Sequence, residues 1–157
     1  PMRLTAFTNY ALRTLMFAAM RGDRLTRCHE VADAFGISRT HCTKCVHQLG
    51  QWGYLENVRG RGGGFRLARP PEEIVIGEVV RRTEDSLELV ECFNAATNTC
   101  PLMEACRLSR TFKRALGAFL AVLDEVTIAD VVANRAELLP LIDFAPAEGE
   151  AAPAADA

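Results

Sequence analysis

Gly36-Ile37-Ser38, followed by Arg39-Thr40-His41-Cys42-Thr43-Lys44-Cys45 and a stop near Gly53, is the stretch on which the fold turns. The glycine permits a tight turn, and Ser38 can cap the next helix by accepting from an exposed backbone N–H. The spacing predicts that helix over 39–51. Upstream, residues 27–35 place Val31, Ala32 and Phe35 on one helical face. Residues 5–21 carry Phe7, Tyr10, Ala11, Leu15, Ala18 and Ala19 at helical steps and end at Gly22. Helix, glycine-containing turn, helix is a helix-turn-helix. Downstream, Tyr54 to Val58 reads as a strand, Arg59-Gly60-Arg61-Gly62-Gly63-Gly64 as a flexible basic tip, and Phe65 to Leu67 as the returning strand. A hairpin directly behind a helix-turn-helix is a wing, and Pro70-Pro71 closes the unit at residue 71.

Residues 72–144 form a second region. A helix is expected over 76–84, then a cysteine-bearing loop over 90–107. A long amphipathic helix follows, with Phe112, Ala115, Leu116, Phe119, Leu120 and Leu123 at three- and four-residue steps. Thr127 is placed to cap a further helix through Leu139. The Ala-, Pro-, Glu- and Asp-rich segment 145–157 is expected to be disordered. The fold class is mainly α with a small β-hairpin wing: a winged helix-turn-helix plus a long helix.

A net charge of −2 conceals an asymmetry. Residues 1–71 hold 11 Lys and Arg against 4 Asp and Glu, whereas residues 72–157 hold 7 against 16. A basic front half suits a polyanionic partner. No apolar run of about 18 residues is present, so no membrane span is expected. Without a secretory signal pattern, a cytoplasmic protein is expected, with Met2 as its natural start.

These features make double-stranded DNA the expected partner. Arg39, Thr40, His41 and Lys44 lie early in the second helix of the motif, where side chains reach base edges in the major groove. Arg59 and Arg61 on the tip would meet phosphate or the minor groove, with Gly62 and Gly63 letting the backbone approach. A nucleotide-binding loop is the competing reading, but the Lys-Ser ending and strand-loop-helix setting are missing.

Six cysteines in a reducing compartment suggest metal ligands, reactive thiols or small core residues rather than disulfides. Cys92, Cys100 and Cys106 offer three thiolates in an irregular loop, the setting of iron–sulfur ligation. With no fourth cysteine nearby, one iron would keep a weaker ligand and stay open to small molecules, which suits a 4Fe–4S cluster better than a 2Fe–2S one. Structural zinc prefers four ligands in closer pairs. Buried free thiols sit poorly with Asn94, Thr97, Asn98 and Thr99 around them. Cys28, Cys42 and Cys45 are a separate set. They read either as small core residues or as a second thiol or metal site, joined by His29 or His41.

Arg3-Leu4-Thr5, Thr8 to Arg13, Gly36-Ile37-Ser38, Val58 to Gly64 and the triple-cysteine loop together resemble the NsrR, IscR and RirA family. These are bacterial iron–sulfur winged-helix repressors, and the resemblance runs from about Met2 to Leu141. It implies a homodimer joined through the helix around 111–125, bound to a palindromic operator, with the cluster beside the dimer interface. IscR-like members carry a histidine where Ser109 stands here. His41 to Gly53, Val90 to Phe93 and Cys106 to Leu108 look most like the nitric-oxide-sensing NsrR branch. That branch often takes a fourth ligand from an aspartate on the partner's first helix; the matching residue here is Asn9, a poorer iron ligand. Asn9 and Cys100-Pro101-Leu102 look instead like the iron-responsive RirA branch. Failing Asn9, Glu91, Glu104 or solvent would be the fourth donor. Two other classes compete: a cluster-free regulator that senses oxidants through thiols, and an enzyme. The latter lacks a carboxylate pair placed to assist His29, His41 or His47.

Overall fold

The computed structural model describes residues 2–142, so the expected disorder of 145–157 lies outside the described residues. The first three helices are α1 (Ala6–Arg21), α2 (Cys28–Phe35) and α3 (Arg39–Gln51). Thr5 caps α1 by accepting from the Thr8 amide, and Ser38 caps α3 by accepting from His41. Ala11, Leu15 and Ala18 of α1, Val31 and Ala32 of α2, and Val46 and Leu49 of α3 meet in one buried core. Each fully buried leucine contributes roughly 1.5–3 kcal/mol. A nearly buried ion pair, Arg21 with Glu30 at 3.2 Å, ties the end of α1 to the start of α2. Trp52, which follows α3, meets the Phe7 ring edge-on at 6.4 Å and fixes the angle between α1 and α3.

The wing is an antiparallel pair, β1 (Leu55–Val58) and β2 (Gly64–Leu67), with Leu55 opposite Leu67 and Asn57 opposite Phe65. Its inward residues Leu55 and Phe65 are almost fully buried. Thr26, just before α2, exchanges two backbone hydrogen bonds of 2.8 Å with Phe65. The hairpin is therefore bolted to the helix-turn-helix. Glycine is needed at the tip for two reasons. Gly60 and Gly62 have φ of 99° and 77°, and a Cβ on Gly63 would collide with the Val58 carbonyl.

The second region holds α4 (Ile76–Thr83), a short 3₁₀ turn at Glu91–Phe93, and the long α5 (Arg107–Asp124). Two one-turn helices follow, α6 (Ile128–Val131) and α7 (Arg135–Leu138). Val79 and Val80 of α4 are buried against the core, and Val75 bridges Thr127. α5 behaves differently. Leu120 and Leu123 pack on the core, but Leu108, Phe119 and Val122 stay exposed, and Ser109 is the one residue of the helix that is buried.

The single helix expected from Thr127 through Leu139 is instead broken. Thr127 does cap, its hydroxyl and amide reciprocating with Asp130, yet the helix lasts one turn. Val131-Val132 and Asn134 are poor helix formers, and the chain turns where Arg135 donates to the Met20 carbonyl at 2.9 Å. A 3₁₀ turn follows at Leu139–Leu141, with Pro140 in it. Among the described residues no helix is long and apolar enough to cross a membrane.

Candidate functional site

α3 is two-faced. Cys42, Cys45, Val46 and Leu49 are buried, whereas Arg39, Thr40, His41, Thr43, Lys44 and His47 are exposed. The outward face is thus basic and hydrogen-bonding and sits on a helix fixed by its core. Arg39 pairs with Asp33 of α2 at 3.6 Å, and the His41 ring stacks on Tyr10 of α1, 6.0 Å between centroids. The Arg39–Asp33 pair is exposed, so a phosphate could displace it at little cost. On the wing Arg59, Arg61 and Gly62 are exposed. Gly63 is half-buried, closing the tip by donating its amide to Gly60. Its glycine character is required by the turn, since a Cβ there would meet the Val58 carbonyl.

The second cluster surrounds Ser109, in the first turn of α5. Cys92 donates its thiol to the Ser109 hydroxyl at 3.3 Å, and the Cys106 sulfur, at the helix cap, accepts from the Ser109 amide at 3.4 Å. Cys100 is half-buried in the intervening loop, its amide donating to Asn98 at 3.1 Å. Among the described residues, no three His, Cys, Asp or Glu side chains are already drawn into one ligand set. The donor chemistry nevertheless fits an iron–sulfur cluster: three half-buried thiols on irregular chain, two of them meeting at one serine. Glu91 accepts from the Thr99 amide and hydroxyl at 2.7 Å each, which holds its carboxyl below the usual range and ties it to the loop. Asn9 is exposed at the start of α1.

The third cluster lies behind the basic face. Cys28 is the first residue of α2 and packs half-buried against the core in which Cys42 is fully buried. Hydrogen bonding to Cys42, with help from Thr43, holds the Cys28 thiol down at about 6 against the upward push of burial. Cys42 is pushed far up, first by its bond to Cys28 and then by burial. Burial pushes Cys45 up to about 12.

The family model described as "Rrf2: Iron-dependent Transcriptional regulator" matches residues 4–134. The chain belongs to the Rrf2 family. It is 50% identical over 144 residues to the HTH-type transcriptional regulator NsrR of Shouchella clausii, covering 91% of this chain and 97% of the relative. Identity to the NsrR of Bacillus subtilis is 46%, covering 90% and 97%. In architecture it is similar to T. potens IscR, with a TM-score of 0.69 at 21% identity, covering 92% and 93% of the two chains. The chain is therefore a transcriptional regulator of the Rrf2/NsrR type. Its relatives are regulators rather than enzymes, which removes the enzyme alternative.

In this Rrf2 regulator the expected DNA residues of α3 and Arg59, Arg61 and Gly62 of the wing are exposed, while Cys92 and Cys106 each contact Ser109 and Cys100 stands apart from them in the loop. Sequence reasoning passed over two residues. Thr43 shares the outward face, a position legible from its three-residue step after Thr40. Glu84, after α4, had no local signal. It accepts from the Thr5 amide at 2.7 Å and from the Thr5 and Thr8 hydroxyls, binding the start of α1 to the end of α4. Burial opposes its ionisation, but those hydrogen bonds prevail and hold its carboxyl below the usual range.

Proposed function

We propose that this regulator represses its promoters as a homodimer holding an iron–sulfur cluster, most simply 4Fe–4S, on Cys92, Cys100 and Cys106, and that nitric oxide is its signal. The observation that carries this is the junction at Ser109: two of the three thiols meet on a buried residue in the first turn of α5. When bound, the cluster supplies iron that nitric oxide can attack. The chain's own part is mechanical. Ligation by three thiols replaces a loop held by Glu91–Thr99 and Asn98–Cys100 hydrogen bonds with one fixed geometry. Because Cys106 caps α5, that geometry sets where α5 begins. α5 carries the exposed Leu108, Phe119 and Val122, a face suited to a second copy of the chain. The angle between the two subunits decides whether both α3 helices, with Arg39, Thr40, His41 and Lys44, fit half-sites one turn apart, while Arg59 and Arg61 hold the flanking phosphates.

The NsrR relatives and the family description favour this reading. Asn9 favours a second one, in which a weak fourth ligand makes the cluster labile, so that low iron releases the promoters. Anaerobic protein should be coloured, bind operator DNA, and lose both colour and DNA on titration with nitric oxide. Retention of DNA after nitric oxide has bleached the protein would overturn the proposal. A chelator that releases DNA more readily from the parent than from Asn9→Asp would favour the iron-responsive reading.

A further inference from the structure

α1 braces α3 at both ends. Phe7 meets Trp52, just past the far end of α3, edge-on at 6.4 Å. Three residues further along α1, Tyr10 lies nearly parallel to the His41 ring near the start of α3, with 21° between the planes and 6.0 Å between centroids. The first contact belongs to the packing that orients the helices. The second is different. His41 is exposed on the outward face of α3, whereas Tyr10 is half-buried and packs against the core. A ring anchored in the core therefore supports a ring turned to solvent.

We propose that Tyr10 is a positioning residue for operator recognition, holding the His41 imidazole in the plane from which its nitrogens meet a base edge in the major groove. The inference rests on the reading of α3 as the DNA-reading helix. An imidazole makes its hydrogen bonds in the ring plane, through Nδ1 and Nε2, while a stack engages only its face. Support by the phenol ring thus leaves both nitrogens free, and among the described residues no hydrogen bond reaches either of them.

The neighbouring side chains have no such support. Arg39 leans on the exposed Asp33, and Thr43 returns its hydroxyl to the Arg39 carbonyl at 2.8 Å. Among the described residues, His41 is the one outward side chain of α3 that a ring of another helix holds. A side chain already held does not lose rotamer freedom when DNA binds, which is worth about three- to tenfold in affinity for each half-site. Tyr10 therefore contributes to recognition without touching DNA, and its contribution falls on the base pair that His41 meets.

A base-by-base measurement separates positioning from general stability. Anaerobic full-length protein selects duplexes from a random-sequence library, and the selected duplex is then changed one base pair at a time. In His41→Ala the preference at one base pair of each half-site should flatten. Tyr10→Leu, which keeps an apolar side chain on the core, should flatten the preference at that same pair and lower affinity by about tenfold, since both half-sites are affected. Tyr10→Met serves the same comparison should Tyr10→Leu fail to fold. Tyr10→Phe should keep the parent's preference, because the ring remains. In the His41→Ala background Tyr10→Leu should cost no more than about twofold further, since the two residues act as one unit. An unchanged preference in Tyr10→Leu, a loss spread evenly over all base pairs, or an equal loss with and without His41 would each overturn the inference while leaving α3 as the DNA-reading helix. An unchanged preference in His41→Ala would instead overturn the placement of His41 at a base edge, and the role of Tyr10 with it.

Discussion

The molecule carries two sets of three cysteines, and they differ in what surrounds them rather than in number. Cys28, Cys42 and Cys45 are set by helices: Val31 and Ala32 of α2 and Val46 and Leu49 of α3 share one core, in which Cys42 and Cys45 are buried and against which Cys28 packs. Cys92, Cys100 and Cys106 are set by a loop held by side-chain hydrogen bonds, with only the Ser109 contacts joining two of them. Packed helices fix a geometry in advance and leave little room for a guest. A polar loop fixes little in advance and can wrap one. The same residue type therefore fills a core in one region and is available as a set of ligands in the other.

The comparison breaks most readily by substitution on each side. Cys92→Ala or Cys106→Ala should remove all visible absorbance from anaerobic protein, while costing the cluster-free chain only the Ser109 contact or the cap of α5, about 0.5–2 kcal/mol in urea. Cys45→Ser should do the reverse, keeping the absorbance but costing about 1–3 kcal/mol by burying a hydroxyl in an apolar core. A Cys45→Ser protein as stable as its parent would show that the helix-held set is not packed as described. DNA binding sharpens the contrast on the side of the front half. Arg61→Ala should lower the slope of log affinity against log salt by about one unit, measured on operator DNA. An unchanged slope would leave the wing tip without a phosphate contact.

The smallest effect concerns Glu84, which joins the two regions. Its carboxyl is held below the usual range, so the stability it adds is present above the unfolded value of 4.5 and is lost as pH falls through its lower folded value. Glu84→Gln should therefore cost about 1 kcal/mol or less at neutral pH, allowing for partial exposure, and nothing once the carboxyl is protonated. Urea curves for parent and variant should converge in acid. Parallel curves across that range would mean that Glu84 is not the link between α1 and α4.

Local signals made much of this legible. Ser38, the period of 39–51 and the glycine tip specify the helix-turn-helix and wing because each acts within a few residues. The Thr127–Asp130 cap was visible for the same reason. The end of that helix was legible only in part: Val131-Val132 and Asn134 are weak helix formers, but Arg135 reaching the Met20 carbonyl is a contact between residues far apart in sequence. Glu84 was hidden likewise, since its partners Thr5 and Thr8 lie at the other end of the chain. In the candidate site, the three loop cysteines could be read as a set from spacing. Their meeting at Ser109 could not, since a serine carries no ligand signature. Gly63 shows a local need that its sequence context did not reveal: the Val58 carbonyl leaves no space for a side chain there.

Trp52 is the chain's single tryptophan. Its indole stands against Phe7 of α1, its carbonyl accepts from Arg82 of α4 at 3.3 Å, and it follows directly on α3. One indole means one source of tryptophan emission, and this source sits where those three helices meet. Any event that rotates α3 against α1 changes the polarity and packing around the ring, and so the colour and intensity of its light. The protein thus carries an intrinsic optical gauge of the helix it presents to DNA, readable in solution without a label and without DNA present.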